Sequence, residues 1–159
     1  DFLREDDAPV VLILFGDHDP WLGDGNRLYH DLGIDLDLDG ETGFYNYYAT
    51  RYIIWANDAA KEVLGRDLTG EGPALSPNFL MTELFDLCGW EGPAYMQATR
   101  AVKEQVPVIN VPTGRYLEDG VLTGGEGGRE LSSAGEALVR EYQCLQYYSR
   151  KNFRYSYVE

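Results

Sequence analysis

The chain is poor in positive charge and in cysteine. Only 13 of its 159 residues are lysine or arginine, against 27 aspartates and glutamates, so the net charge is −14. Nucleic acids and anionic lipid surfaces are bound through clustered lysine and arginine, and this balance argues against both classes of partner. The two cysteines, Cys88 and Cys144, follow no metal-binding or redox spacing. We therefore expect two buried thiols and no disulfide.

Long apolar runs and common nucleophile motifs are also missing. No stretch is long and apolar enough to span a bilayer. The segment TGGEGG at 123–128 lacks the Lys-Ser/Thr pair of a phosphate-binding loop, and no Gly-x-Ser-x-Gly elbow occurs. No residue is identified as a catalytic nucleophile. The chain opens with DFLREDD and without an initiator methionine, which we interpret as the end of a helix and as a sign of a fragment.

An apolar run that ends in charged residues is the clearest feature present. Val10 to Phe15 is uninterrupted and rich in β-branched residues, which is typical of a strand buried in a parallel α/β sheet. Gly16 and then Asp17 and His18 follow, at the strand end where ligands bind in open α/β sheets. A carboxylate beside an imidazole suits Zn²⁺ or Mn²⁺ better than Ca²⁺, although a metal site needs at least one or two more ligands. The alternative is a polar turn in which the aspartate caps local amides.

A second acidic segment, DLDLDG at 35–40, matches the first half of a calcium-binding loop through Asp35, Asp37, Asp39 and Gly40. The match fails further on, because Asn46 occupies the position of the bidentate glutamate and the sequence after it is strand-like. An acidic solvated loop is the favoured interpretation. The segment belongs to a longer loop, residues 19–43, in which we expect one short helix.

The remaining pattern alternates helices and strands. A strand is predicted over 45–56, a short helix capped by Asn57 or Asp58 follows, and Ser76-Pro77 starts another helix. A further helix runs from Gly92-Pro93 to about Gln105 and short strands cover 108–122. A capping box formed by Ser133 and Glu136 starts the last helix. The change of pattern near residue 106 places a boundary between a first domain, 1–105, and a small C-terminal subdomain, 106–159.

Taken together, these motifs resemble the lipoteichoic acid synthase-like phosphoglycerol transferases of the sulfatase and alkaline phosphatase superfamily. The similarity lies in Gly16-Asp17-His18 with Pro20 shortly after it, YYATRYIIWAN at 47–57, SPNFLMTELFDLCGW at 76–90 and EYQCLQYY at 141–148. The segments occur in the family's order, and the resemblance they mark extends over most of the chain. Two departures are Arg51, where the family usually has proline, and a longer connection over 58–75.

The resemblance implies a fold, a chemistry and a location. The fold is an α/β fold, the C-terminal part of an alkaline phosphatase-like fold, with a small α+β subdomain. Asp17 and His18 are the Asp-His metal-ligand pair, and the cofactor is a divalent metal, most often Mn²⁺, with Mg²⁺ or Zn²⁺ as alternatives. The threonine nucleophile, another acidic ligand and the membrane-anchoring helices lie in the family's N-terminal half, so we expect no catalytic nucleophile in this chain. The parent enzyme would act at the extracellular face of the bacterial cell membrane.

The partners expected from the resemblance are a phosphatidylglycerol-like lipid or polymer substrate and the missing N-terminal half of the same domain. Without that half, we expect an exposed strand edge, self-association and no activity of the chain alone. Two alternatives stay open. One is a sulfate- or phosphate-ester hydrolase of the same superfamily, and the other is a non-catalytic extracellular module that binds calcium through 35–40 or a partner through its aromatic surface.

Overall fold

The computed structural model describes residues 2–125 and 128–153, and it forms two compact units, the first ending at Glu71 and the second starting at Gly72. The chain is mixed α/β, with 47% helix and 13% strand in small sheets. No helix in the described part is long and apolar enough to cross a membrane. The domain boundary predicted between residues 105 and 106 falls inside the second unit and stays a prediction.

The first unit is built on a two-stranded antiparallel sheet. Strand β1, Val11–Phe15, pairs with β2, Tyr52–Ala56, so that Phe15 lies opposite Tyr52 and Val11 opposite Ala56. The prediction of a strand buried in a parallel sheet is therefore wrong for the described residues. The apolar run still forms a strand, but Leu14, Phe15 and Ile53 stay more than half exposed.

Helices and turns separate the two strands. A 3₁₀ turn at Asp24–Asn26 leads into α1, Arg27–Asp31, and α2 covers Glu41–Tyr48. The strand predicted from residue 45 is wrong as far as residue 51, because the aromatic residues there follow a helical spacing. Phe44 is buried in α2, and its ring packs on that of Tyr48, four residues on, with the ring centres 5.1 Å apart.

Asn57 ends β2 and caps α3, Asp58–Leu64, as predicted, by accepting the amide of Ala60 at 2.9 Å. The predicted helix at residues 1–7 is wrong, since residues 2–5 form a turn and a bend. The carbonyls of Leu3 and Asp6 accept hydrogen bonds from the Asn57 side chain. This long-range bonding fixes a non-helical path before β1.

In its described residues, the second unit contains three α-helices, two 3₁₀ turns and a small sheet. Pro77–Phe79 is a 3₁₀ turn that leads into α4, Leu80–Cys88, and α5 covers Ala94–Gln105. Both helices were predicted. Strands β3, Val108–Asn110, β4, Arg115–Glu118, and β5, Val121–Thr123, form an antiparallel sheet in the order β3-β4-β5. Asp119 and Gly120, both with positive φ, make the predicted turn between β4 and β5.

The last helix, α6, covers Ser133–Asn152 and closes the core of the second unit. Its N-cap is Ser132 and not the predicted Ser133, because the Ser132 hydroxyl accepts the amide of Gly135 at 3.0 Å. Cys88 is buried as expected, whereas Cys144 lies on the exposed side of α6 and the prediction of a buried thiol there is wrong. The core of the unit consists of Phe79, Val102, Val106, Val139 and Tyr142.

Candidate functional site

Asp17 and His18 follow β1 directly, and their side chains approach each other in the first unit. Asp17 Oδ2 lies 3.7 Å from His18 Nε2, and the other carboxylate oxygen accepts the His18 amide at 3.0 Å. Both side chains are more than three-quarters exposed. The two residues therefore point to the same side once the strand has ended, as joint binding of one ion requires.

The imidazole of His18 is held in one orientation. Its Nδ1 lies 2.9 Å from the carbonyl oxygen of Asp19. Because a carbonyl can only accept, the proton is on Nδ1, and the neutral ring keeps its lone pair on Nε2, the atom that faces Asp17. A hydrogen bond of this kind commonly fixes the tautomer of metal-binding histidines.

The same contacts change the proton affinity of the ring. The hydrogen bond to the Asp19 carbonyl, and then the negative charge of Asp17, raise the pKa of His18 above its usual value. A metal competes with a proton for Nε2, so ion binding at this pair weakens as the pH falls through the pKa of His18. The arrangement is thus an exposed, pH-sensitive donor pair.

The backbone before the pair is fixed by a residue that the sequence did not single out. Thr50 Oγ1 donates to the Gly16 carbonyl at 2.7 Å, and the Gly16 amide donates to the Arg51 carbonyl at 3.1 Å. A Cβ at Gly16 would lie 2.9 Å from the Thr50 Cβ, so glycine is required by this close approach. Arg51 stands where the family that the sequence resembles usually has proline. Its contribution to this contact is its backbone carbonyl, which a proline would also provide as an acceptor.

Replacing Thr50 with valine should therefore loosen the Asp17-His18 turn. The variant keeps the side-chain shape and removes the hydroxyl, and we expect a loss of about 1 kcal/mol in local stability. Amide hydrogen exchange at Gly16 and the chemical shifts of Asp17 and His18 report the change. Thr50→Ser keeps the hydroxyl and should retain slow exchange at Gly16; equal perturbation by both variants would contradict a role for this hydrogen bond.

The acidic segment 35–40 uses its carboxylates in its own backbone. Asp35 Oδ1 accepts the amide of Asp37 at 2.9 Å, and Asp37 Oδ1 accepts the amide of Asp39 at 3.1 Å. Asn46 donates to the Asp35 carbonyl at 2.9 Å and so ties the segment to α2. These bonds favour the interpretation as an acidic structural loop.

The donor chemistry at Asp17 and His18 fits a divalent transition metal, but the described residues supply only two donors. Two ligands about 2.1 Å from a shared tetrahedral ion lie about 3.4 Å apart, close to the 3.7 Å observed. No group of three or more histidine, cysteine, aspartate or glutamate side chains suited to a metal occurs in the described ranges. Within the described residues, the pair therefore offers two of the donor atoms that a metal site needs.

A cavity of about 340 Å³ opens beside the pair. Its walls come from two segments, 17–29 and 36–48, and sequence analysis did not identify it. The only sequence signal was the excess of tyrosine in 45–48. The lining residues are Asp17, His18, Asp19, Pro20, Trp21, Asn26, Tyr29, Leu36, Asn46, Tyr47 and Tyr48.

Comparison with known proteins adds no relative: no family model, curated protein or solved structure matches the chain.

Proposed function

We propose that the chain is the C-terminal portion of a metal-dependent phosphoglycerol transferase of the lipoteichoic acid synthase-like type, with an alkaline phosphatase-like fold. The observation that carries the proposal is the Asp17-His18 pair, whose Oδ2 and Nε2 atoms face each other at 3.7 Å directly after β1. The order of the four motifs that resemble this family supports it.

In this proposal, Asp17 would hold the ion through Oδ2 and His18 through Nε2. A divalent metal, when bound, lowers the pKa of a hydroxyl nucleophile and neutralises charge on the phosphoryl group. The carbonyl of Asp19 keeps the imidazole in the tautomer that leaves Nε2 unprotonated. Thr50 fixes the turn from which both ligands project. The nucleophile and the remaining ligands belong to the preceding half of the parent domain.

The setting proposed for the parent enzyme follows from the same resemblance. It would take phosphoglycerol from a phosphatidylglycerol-like lipid and transfer it to a cell-envelope polymer at the extracellular face of the membrane. The transferase is preferred to a calcium-binding module because the carboxylates of Asp35 and Asp37 already accept backbone amides. The Asp17-His18 pair would serve an ester hydrolase equally well, and the fate of the phosphoryl group separates the two reactions.

Metal titration of this chain tests the proposal. Mn²⁺ should broaden the NMR signals of Asp17 and His18 first, with weak affinity because two donors do not complete a site. Asp17→Asn or His18→Gln should weaken binding by about tenfold or more, since even the outer partners of metal ligands are worth roughly 10–100-fold. His30→Gln, in α1, is the matched control and should leave binding unchanged. Broadening centred on 35–40 and abolished by Asp37→Asn would instead support the calcium-binding alternative.

An activity assay on the longer parent protein completes the test. Phosphoglycerol should pass from a phosphatidylglycerol analogue to an alcohol acceptor, and Asp17→Asn and His18→Gln should each abolish turnover. Release of the phosphoryl group to water alone would identify a hydrolase. Retained turnover in both variants would remove the pair from the active site, and transfer by the present chain alone would show that it contains its own nucleophile.

A further inference from the structure

The cavity beside the Asp17-His18 pair has aromatic walls. Trp21, Tyr29, Tyr47 and Tyr48 are among its lining residues, and Trp21 is 66% exposed although it is the largest apolar side chain there. The volume of about 340 Å³ is at the small end of the roughly 300–1,000 Å³ typical of ligand sites. The cavity is therefore sized for a small molecule or for one chemical group of a larger one.

Hydrogen bonds hold these walls in place without a ligand. The Tyr29 hydroxyl donates to the Pro20 carbonyl at 2.9 Å, and the Asn26 side chain accepts the Leu22 amide at 3.1 Å. In the second lining segment, the rings of Tyr47 and Tyr48 pack edge to face with centres 4.8 Å apart. A preformed site of this kind loses little conformational entropy when it binds.

The cavity is also strongly negative. Asp17 and Asp19 line it, and among the described residues that form its walls there is no lysine or arginine. The nearby Arg27 pairs with Asp31 at 3.3 Å. Of the whole chain, 16 of 27 acidic residues but only five of 13 basic ones fall within residues 1–71, so the first unit carries −11 of the net −14. Such a field attracts cations.

We propose that this cavity binds a small organic ammonium group, best a quaternary one of the choline type. Aromatic faces attract such cations through the ring quadrupole, and tryptophan does so most strongly. The Asp19 carboxylate supplies the opposite charge, and the apolar rings contact the methyl groups. The inference does not depend on the proposed transferase activity, because it needs neither a metal nor a nucleophile.

The chemistry of the walls favours a cation over the two other classes of ligand. Without a bound metal, a phosphate or carboxylate group would meet Asp17 and Asp19, with no lysine or arginine on the described walls. A sugar could stack on the rings, but it would gain nothing from the −11 charge of the unit. Charge and aromatic lining act together only for an ammonium group.

Binding is tested by NMR titration of the chain with choline in the presence of a chelator, which excludes any contribution from a metal. Choline should shift the signals of Trp21, Tyr47 and Tyr48. Dimethylbutanol, the neutral carbon isostere of choline, has the same shape and should bind about tenfold more weakly, the difference expected from the cation–π attraction. Equal binding of choline and its isostere, or no binding of choline, would overturn the proposal.

Variants separate charge from ring contacts. Asp19→Asn and Trp21→Leu should each weaken choline binding severalfold, whereas Asp24→Asn makes the same change in net charge outside the cavity and should not. Vesicles that display phosphatidylcholine, with choline as competitor, distinguish a lipid head group from a free amine as the source of the cation. Tighter binding of methyl glucoside than of choline would assign the cavity to a sugar. Failure here leaves the metal titration unaffected, so the two proposals fail separately.

Discussion

Replacing Asn57 with alanine is expected to lower the free energy of local unfolding of the first unit by about 3 kcal/mol. The side chain is 1% exposed, and its oxygen accepts the amides of Val10 and Ala60 at 3.0 and 2.9 Å. Its nitrogen donates to the carbonyls of Leu3, Asp6 and Ala8 at 2.8–3.3 Å. Alanine removes the partner of the buried Ala60 amide and of four partly buried backbone groups, and a buried polar group left unpaired costs about 1 kcal/mol or more.

The loss should be large because the first unit has little apolar core to compensate for it. Its buried apolar side chains among the described residues are those of Phe44, Ala56 and Ala60. Asn57 therefore joins the segment before β1, the end of β2 and the start of α3 into one unit. Loosening it should also disturb the Asp17-His18 turn, because that turn depends on the pairing of β1 with β2.

Amide hydrogen exchange over residues 10–16 and 52–57 measures this effect, since it reports local opening of one unit. Asn57→Ser keeps a short acceptor for the Ala60 amide but loses the side-chain amide N–H donors to Leu3, Asp6 and Ala8, so it should retain part of the protection. Asp58→Ala removes an exposed neighbour in the same helix and should change exchange little. Unchanged exchange in Asn57→Ala, or equal effects of Asn57→Ala and Asp58→Ala, would show that these bonds contribute nothing to stability.

Asn57 also shows how far the sequence could be interpreted. Its role as a helix cap was predictable, because the cap and the Ala60 amide are three residues apart. Its bonds to Leu3, Asp6 and Ala8 were not, because they join residues 49 to 54 positions apart. The error at 45–51 has a different, local cause: the aromatic and β-branched composition of 45–56 favours a strand, whereas the i,i+4 packing of Phe44 on Tyr48 favours a helix.

The residues of the candidate site also fall into those that the sequence could predict and those that it could not. Asp17 and His18 were predicted because an apolar run ending in charged residues is visible in a few consecutive letters. Thr50 was missed because it acts on Gly16 from 34 residues away, through a register that only the antiparallel pairing of β1 and β2 sets. The aromatic cavity was missed for the same reason, since its two walls come from separate segments.

Removing the carboxylate of Glu118 is expected to destabilise the second unit by about 3 kcal/mol. Glu118 has no exposed surface, and its two oxygens accept the hydroxyl of Ser132 at 2.6 Å and its amide at 2.9 Å. The carboxylate thereby joins the end of β4 to the start of α6, where the helix dipole also favours a negative charge. A Cβ at Gly135 would contact the same carboxylate, which explains a glycine in the first turn of α6.

The stability contributed by Glu118 should depend on pH with a definite sign. The hydrogen bonds from the Ser132 hydroxyl and amide lower the pKa of Glu118 below its ordinary value of 4.5. A carboxyl whose pKa is lower in the folded state stabilises the protein above the ordinary value, and this stabilisation is lost as the pH falls through the folded pKa. The expected window for the loss is therefore the acidic range below pH 4.5.

Glu118→Gln provides the sharper comparison, because it keeps the shape of the side chain while removing its charge and one acceptor. We expect a loss of about 2 kcal/mol at neutral pH and a smaller difference from the unmodified chain in acid. Asp119→Asn changes the adjacent carboxylate, which is 74% exposed, and should preserve both stability and its pH dependence. Amide exchange in β4, β5 and the first turn of α6, measured from pH 3 to pH 7, reports both quantities.

Because one hydrogen-bonded pair is removed in either case, Ser132→Ala combined with Glu118→Gln should cost less than the sum of the two single changes. Full additivity would mean that Glu118 and Ser132 stabilise the unit independently, and a pH dependence that Glu118→Gln leaves intact would mean that another carboxylate is responsible for it.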